Sequence, residues 1–392
     1  DVCFGPHMDS IRSHFIRIKG RLQEDSFDSL LWLVNIVPSA AGFSLRRDKI
    51  RAPFWCLHLP LLFYVYGVGN FVFQWKYAQN AGDFIKSYVN VSILILTANN
   101  SWWFLVKRPL LKRILEKIER NDQMSCSSND LRMKHKKLLR IIKRIVIIFY
   151  SFNFVDAMFI YLPNRVDVLN TYSMTPCVGL EPITSSPNRE ICQTILALQE
   201  ITIMTVVLNY QALFLFLVAH TAVMYQLLAH EVMTFNEFED LVENQALAKR
   251  KLPTFIERHA LTLDVISNLK TLYSVPLGVN FGSNAVCISF FFFLPLHEWL
   301  KFSPILIYCF LVFFLYCFLC QRLINASEMF ERALYSCGWE NFELREKKMI
   351  YLMLRQAQKP VELLAADIIP VNIYTFATTL QAMYKFVTVV KL

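Results

Sequence analysis

Five polar side chains form a line along the apolar segment at the end of the chain, residues 366–392. This segment is long enough to cross a bilayer, because roughly 20 helical residues at about 1.5 Å each span the hydrocarbon. Its polar residues are spaced by four, three, four and three positions, which places them on one helix face: Tyr374, Thr378, Gln381, Lys385 and Thr388. Polar groups at this depth are costly unless they face protein or water. The stripe therefore predicts one wall of a pore, and the alternative is a bundle helix whose hydroxyls bond to its own backbone.

A second polar pair interrupts the apolar stretch 145–162, where Asn153 and Asp156 lie among aromatic residues. An acidic residue inside a span suggests a functional site, since an unpaired carboxylate is unfavourable in hydrocarbon. The alternative is a carboxyl that faces the helix bundle and bonds a neighbouring span.

Composition places the chain among polytopic membrane proteins. Of its 392 residues, 55% are hydrophobic and 14% aromatic, and the apolar residues come in long blocks, which is too apolar for a soluble protein of this size. The sequence has no Gly-rich phosphate loop and no HExxH motif, so we expect neither an enzyme nor a bound metal or other cofactor. No cleavable signal peptide is predicted in the first ~50 residues.

Seven apolar stretches predict an all-α membrane protein with seven transmembrane helices. The predicted spans are residues 54–75, 84–106, 145–162, 194–228, 274–295, 302–324 and 366–392, so that spans one to four occupy 54–228 and spans five and six 273–325. Residues 1–53 form an N-terminal segment with an interfacial helix over 30–37 that ends at Pro38. Residues 229–272 and 326–365 have amphipathic spacing and predict helices that extend the spans into water.

The basic residues predict which way the chain crosses the membrane. The segments 1–53, 107–144, 229–272 and 322–364 hold 33 of the 40 Lys and Arg residues. The richest of them, 107–144, could be a nucleic-acid or lipid patch, but a cytosolic loop obeying the positive-inside rule explains it better. We therefore predict a cytosolic N-terminus, an extracellular C-terminus and no nucleic-acid partner. This orientation is opposite to that of a G-protein-coupled receptor.

The polar loop 163–193 contains two cysteines, Cys177 and Cys192. If this loop is extracellular, a disulfide between them is permitted, and closing a loop of about 16 residues would stabilise the fold by about 3 kcal/mol. Two free thiols are the alternative.

The end of the chain resembles the C-terminal signature of insect odorant receptors. In that signature a Leu, a short polar run, a Tyr, a small residue, an aromatic pair, a Thr and two aliphatic residues end the chain. Four positions match it: Leu380, Tyr384, Phe386 and Thr388. Two positions depart from it, because Lys385 replaces the small residue and Val387 replaces a Phe.

The resemblance implies the tuning subunit of a heteromeric, ligand-gated, non-selective cation channel. Such a subunit assembles with a shared co-receptor, as a tetramer, in the plasma membrane of a sensory-neuron dendrite. The cytosolic helices at 229–272 and 326–365 would form its anchor region, and Gln381, Tyr384, Lys385 and Thr388 would line its pore. The motif places Tyr384 at the gate, whereas the spacing favours Gln381 and Thr388 with Lys385. Four copies of Lys385 would repel one another by about 1–4 kcal/mol per charge at about 4 Å, which favours a heteromer.

In the resembled family, the ligand lies among spans two, three, four and six. Mapped by topology, the candidate ligand-binding residues are Tyr88, Val91, Ser92, Phe149, Phe152, Asn153, Asp156, Ile201, Thr205, Leu208 and Tyr308. Ordinary packing between spans is the alternative for each of them. A largely apolar, aromatic-lined pocket suits a small volatile odorant, including aromatic and heteroaromatic ones, and Asp156 could accept a hydrogen bond from an N–H donor.

Three other functions compete with the odorant-gated channel. A gustatory receptor-type channel differs mainly in its ligand and in its need for a co-receptor. A G-protein-coupled-type seven-span receptor conflicts with the predicted orientation. A transporter built from inverted repeats is weakened because the two halves of the chain share no sequence repeat.

Overall fold

The computed structural model describes residues 18–45, 52–76, 78, 81–125, 129–162, 166, 177–237, 241–291 and 296–391. Almost all of them are helical, which confirms the predicted all-α class. The ten helices that we number are α1 (Phe27–Ala41), α2 (Ala52–Lys76), α3 (Ala81–Val106), α4 (Arg108–Ser125), α5 (Asn129–Val155), α6 (Asn188–Met233), α7 (Leu241–Phe291), α8 (Leu296–Tyr335), α9 (Leu344–Ala357) and α10 (Ile373–Lys391). Helix α2 has a π-helical stretch at Phe63–Gly69, and a second one, Asp156–Tyr161, follows α5.

Four described stretches are apolar and long enough to cross a membrane by length and composition alone: Ala52–Lys76, Ser87–Val106, Asn188–Met233 and Ile305–Asn341. The other three predicted spans lie in α5, α7 and α10. The orientation of the chain across the membrane stays a prediction.

Helix α6 is the centre of the bundle. Between residues 206 and 218 it is buried almost all round, with Tyr210, Phe214 and Phe216 fully inside. A helix that is apolar on every side has to be covered on every side. The structure does this by packing α8 along much of α6 and placing α1 to α5 and α7 around the rest.

The basic segment 107–144, predicted as a cytosolic connection, is largely helical where the structure describes it. Its described residues form α4 and the first half of α5, and its position relative to the membrane stays a prediction. In α4 the side chains of Leu111, Ile114, Leu115 and Ile118 are buried at three- and four-residue spacing, and the charges lie on the opposite face. That face is tied to α7, because Lys117 pairs with Asp264. The many charged residues of α4 make the regular spacing of its apolar residues hard to recognise in the sequence.

Helix α1 continues through Pro38, where the prediction ends it, and stops three residues later at Ala41. Gly42 closes the helix at φ 91°, and the N–H of Phe43 donates to the carbonyl of Pro38 at 2.8 Å, which are the features of a Schellman cap. The apolar face of α1 packs against α6, where the rings of Phe27 and Phe216 lie 5.9 Å apart.

A buried ion pair joins three helices at the end of the bundle that holds the predicted anchor region. The guanidinium of Arg258 on α7 donates to the carboxylate of Glu231 on α6, and also to Ser125 Oγ (2.6 Å) and Asn121 Oδ1 (3.3 Å) on α4. Burial raises the pKa of Glu231, although the charge of Arg258 opposes that rise. Breaking such a pair by removing one partner typically costs about 3–5 kcal/mol.

The last span begins later than predicted. Two short antiparallel strands form a hairpin that runs into the start of the segment 366–392. They are β1 (Leu364–Ala365) and β2 (Ile369–Pro370), and α10 begins only at Ile373. Asn372 caps α10 by accepting a hydrogen bond from the backbone N–H of Thr375 at 2.8 Å. The apolar composition of the segment did not reveal this hairpin.

Near Pro276, in the middle of α7, two backbone carbonyls accept hydrogen bonds from other parts of the chain. Because proline has no N–H, it leaves the carbonyl of Leu272 without its helical donor. The indole Nε1 of Trp103, on α3, donates to that carbonyl at 3.1 Å. The neighbouring carbonyl of Ser274 accepts from the backbone N–H of Ala366 at 2.8 Å, which docks the hairpin on α7.

Candidate ligand cavity and polar stripe

A cavity of about 120 Å³ lies between five helices, α3, α5, α6, α7 and α8. An engineered apolar cavity of about 150 Å³ binds benzene, so this size suits a small volatile molecule. Most of the lining is apolar, with a few polar groups at separate points. The lining residues are Val89, Ser92, Ile93, Leu96, Thr97, Asn153, Asp156, Ala157, Glu200, Ile203, Met204, Val207, Leu208, Ser283, Asn284, Cys287, Ile305, Tyr308 and Cys309.

Five of the eleven predicted ligand-binding residues meet at this cavity: Ser92, Asn153, Asp156, Leu208 and Tyr308. The other six are not among its lining residues: Tyr88, Val91, Phe149, Phe152, Ile201 and Thr205. Phe152 and Ile201 point away from the bundle, with 44% and 45% of their surface exposed. The hydroxyl of Thr205 donates to the carbonyl of Ile201 in its own helix at 2.8 Å.

Two features of the cavity were missed by the sequence analysis. Span five contributes Ser283, Asn284 and Cys287, small residues with no charge to draw attention to them. The second feature is Glu200, a fully buried carboxyl on α6. The argument applied to Asp156 holds equally for Glu200, because it too is an acidic residue inside an apolar span.

Glu200 is held by a tyrosine from α2. The π-helical stretch Phe63–Gly69 turns the phenol of Tyr66 inward, where its O–H donates to Glu200 Oε1. π-Helical turns often mark functional sites, and the second one in this chain begins at Asp156, on the same cavity.

Two further polar groups of the cavity are oriented by hydrogen bonds. The amide Nδ2 of Asn153 donates to the carbonyl of Phe149 at 2.7 Å, which leaves its oxygen available to another donor. The phenol oxygen of Tyr308 accepts from Gln211 Nε2, so its own O–H is available to an acceptor. The cavity therefore combines acceptors with one phenol donor.

A disulfide fastens the loop at one end of α6. Cys177 and Cys192 are bonded, with their Cα atoms 5.8 Å apart, and both are buried. The phenol of Tyr64 donates to the carbonyl of Val178 at 2.8 Å, which ties the same loop to the π-helical stretch of α2. Tyr64 and Tyr66 thus connect one short stretch to the loop and to the cavity.

The polar stripe of α10 lies on its uncovered face in the single chain. Gln381, Tyr384, Lys385 and Thr388 are all exposed, Tyr384 by 73%. The hydroxyl of Thr388 donates to the carbonyl of Tyr384 at 2.8 Å, and that of Thr378 to the carbonyl of Tyr374 at 3.0 Å. These are the backbone bonds that the bundle-helix alternative predicts, so the threonines alone do not distinguish a pore wall from a bundle helix.

The opposite face of α10 packs against the rest of the bundle. Met383 and Val387 are buried, and the ring of Phe376 lies 5.1 Å from Phe313 and 5.7 Å from Phe314 on α8. The helix is therefore held by one face, and its stripe is available to a neighbouring subunit, lipid or water.

Comparison with known proteins decides the family. The family described as 7tm Odorant receptor matches residues 80–384. The chain belongs to this family. Among its relatives in Drosophila melanogaster, putative odorant receptor 85d is 29% identical over 144 residues and odorant receptor 67a is 30% identical over 147. These matches cover 34% and 36% of this chain, and the chain spans only about a third of the length of each relative, 34% and 36%.

Solved structures agree on the fold. The insect olfactory receptor OR5 from Machilis hrabei superposes with a TM-score of 0.75 at 17% identity, covering 91% of this chain and 96% of that one. The structure of OR5 in complex with eugenol gives the same score over 92% of this chain and 96% of that one. The resemblance noted in the last residues is confirmed, and the receptor is a membrane protein of a family of receptors, not of enzymes.

Proposed function

We propose that this receptor is the odorant-binding, tuning subunit of a heteromeric ligand-gated cation channel. A small volatile molecule binds in the cavity between α3, α5, α6, α7 and α8 and opens a pore lined by α10. The observation that carries the proposal is the cavity itself, which is small, mostly apolar and supplied with a few oriented polar groups. Ligand binding then favours the open arrangement of a pre-existing equilibrium.

The chemistry of the lining favours a small aromatic or heteroaromatic ligand that carries one hydrogen-bond donor. Burying about 150 Å² of apolar surface contributes about 4 kcal/mol. A hydroxyl or N–H group can donate to the carboxyl of Glu200 or Asp156. OR5 has been solved with eugenol, a volatile of this general kind, which supports the size and class of ligand.

The exposed face of α10 supports the channel part of the proposal. A single chain supplies one wall, so a pore needs several subunits around an axis. Lys385 lies on this face, and four such charges would repel cations and one another. A heteromer with a co-receptor subunit that lacks this lysine avoids the repulsion. We place the assembly in the plasma membrane of sensory neurons, with the ends of α6 to α9 as its anchor region.

The proposal is tested by filling the cavity. Val207 is 6% exposed and lines the cavity, so the larger side chain of Val207→Phe occupies the space of a ligand. We expect odorant-evoked current, recorded from cells that also express a co-receptor, to lose at least about tenfold in sensitivity, equal to about 1.4 kcal/mol.

Ile201→Phe is the matched control, because Ile201 lies on the same helix but is 45% exposed and outside the cavity. It should respond as the unmodified receptor does. Equal loss in both variants, with normal surface expression, would contradict binding at this cavity.

A further inference from the structure

A second cluster of polar side chains lies away from the ligand cavity, where α4, α5 and α6 meet. Each helix supplies one residue: Asp122 from α4, His135 from α5 and His220 from α6. The side chains of His220, Asp122 and His135 are 0%, 8% and 8% exposed. One potential ligand atom from each residue lies within 4.8 Å of the other two.

The distances in the cluster resemble those between the ligands of a metal ion. His220 Nε2 lies 3.1 Å from both carboxylate oxygens of Asp122, and His135 Nε2 lies 3.4 Å from Oδ2. Ligands about 2.0–2.2 Å from a tetrahedral zinc ion are about 3.3–3.6 Å apart. The contact of His135 is longer than a well-formed N–H···O bond, and within the described residues its Nε2 has no hydrogen-bond partner.

We propose that Asp122, His135 and His220 bind a divalent transition-metal ion, with Zn²⁺ as the best fit. Two imidazoles and one carboxylate are ligands suited to zinc, copper, nickel or iron, and not to magnesium or calcium, which prefer oxygen ligands throughout. Three protein ligands leave the fourth tetrahedral position to a water molecule.

The surroundings fit a bound cation. The rings of Phe27 and Phe216 lie 5.4 and 5.8 Å from the ring of His220 and exclude solvent on that side. Arg258 donates to the side chain of Asn121, next to Asp122 in the chain. Its positive charge is paired with the carboxylate of Glu231, so Asp122 does not have to balance it. A metal ion would join three helices that are far apart in sequence, and it would do so independently of any odorant.

Metal binding to the purified full-length receptor tests the proposal. After incubation with Zn²⁺ and removal of unbound metal, we expect one zinc ion per chain. The variants His135→Gln, His220→Gln and Asp122→Asn should each lose more than about 100-fold in zinc affinity, because removing even an outer partner of a metal ligand typically costs about 10–100-fold. His259→Gln, a buried histidine of α7 outside the cluster, should bind zinc as the unmodified receptor does.

A second readout covers variants that fail to fold. Co²⁺ added to the unmodified receptor should give the visible absorption bands of tetrahedral cobalt with nitrogen and oxygen ligands, and Zn²⁺ should abolish them. The proposal is overturned if the unmodified receptor binds no zinc, if the bands are missing, or if the cluster variants retain as much zinc as the control.

Discussion

Glu200 is the residue on which the proposed ligand chemistry depends most directly. It is fully buried, it lines the cavity, and Tyr66 orients it. A buried carboxyl contributes more to specificity than an apolar neighbour, because a site built for a hydrogen bond rejects an analogue that cannot form it.

Replacing Glu200 by Gln keeps the size of the side chain and exchanges one carboxyl oxygen for an amide NH2 group, which cannot accept a hydrogen bond. We expect about a tenfold or greater loss of sensitivity to a phenol and little change toward its methyl ether, since leaving a buried donor without an acceptor costs about 1–3 kcal/mol. Dose–response curves of the odorant-evoked current measure the sensitivity to the phenol and to the ether. Glu190→Gln, at the exposed start of α6, is the control. Equal losses for the phenol and the ether would mean that Glu200 acts only through packing.

His259 makes the stability of the receptor depend on pH. It is 3% exposed and lies between the rings of Tyr225 and Phe330, at 6.4 and 4.8 Å. Burial lowers its pKa from 6.5 to about 4. The unfolded chain therefore binds this proton at higher pH than the folded one, and stability is lost as pH falls from about 6.5 to about 4, by up to about 3 kcal/mol.

The variant His259→Leu removes this titration. Its thermal midpoint in detergent should fall less than that of the unmodified receptor between about pH 7 and about pH 5. The difference between the two proteins isolates His259 from the other groups that titrate in this range. An identical fall would show that folding does not lower the pKa of His259.

Single polar residues inside apolar stretches were predictable, and their neighbours were not. Asn153 and Asp156 were recognised because a polar group in a span needs a reason, and both line the cavity. Ser283 and Cys287 carry no such signal, since small side chains are common in spans. Phe152 was predicted from its place in the third span, but which side of a helix faces inward depends on packing that no single sequence reveals.

At the scale of elements, the hairpin between α9 and α10 meets α7 at a glycine. A Cβ added to Gly278 would lie 2.7 Å from Ala366 Cβ and 3.1 Å from the backbone nitrogen of Ala366. A contact this short forces the hairpin or α7 to move. The glycine thus permits the hydrogen bond between Ala366 and Ser274.

We expect Gly278→Ala to destabilise the receptor by about 1–3 kcal/mol despite the better helix propensity of alanine. Gly282→Ala, one turn further along α7, meets nothing within 4 Å and should be neutral or stabilising by up to about 1 kcal/mol. Thermal unfolding of the two variants measures the contrast. Similar midpoints would show that the hairpin shifts at no cost.

The apolar stretches of the sequence predicted the positions of the spans, but they did not predict where the helices begin and end. Several helices extend well beyond the predicted spans, so α5 begins at Asn129 and not near residue 145. Helix α4 was missed because its buried leucines and isoleucines occupy one narrow face among many charges. The start of α10 is displaced because Pro370 and the positive φ angles of Ala366 (52°) and Asp367 (57°) form a turn that composition does not encode.

For the whole molecule, the proposed pore requires that several chains share the face of α10. Tyr384→Ala removes the aromatic ring at the position that the family signature places at the gate. We expect it to change the ion selectivity or the voltage and time dependence of the current and to leave odorant sensitivity within about threefold. Currents from cells with the co-receptor test this.

Tyr351→Ala on α9 is the comparison, because Tyr351 is 64% exposed but lies outside α10. It should leave all current properties unchanged. Unchanged currents in the Tyr384 variant, with normal expression, would argue against α10 as the pore wall.

Helix α6 runs without interruption for 46 residues, or about 70 Å, and carries Glu200 and His220 about 30 Å apart. If an odorant at Glu200 changes the affinity for an ion at His220, thermodynamic reciprocity requires the ion to change odorant affinity by the same factor. The concentration of that metal around the receptor would then shift the odorant concentration at which it responds.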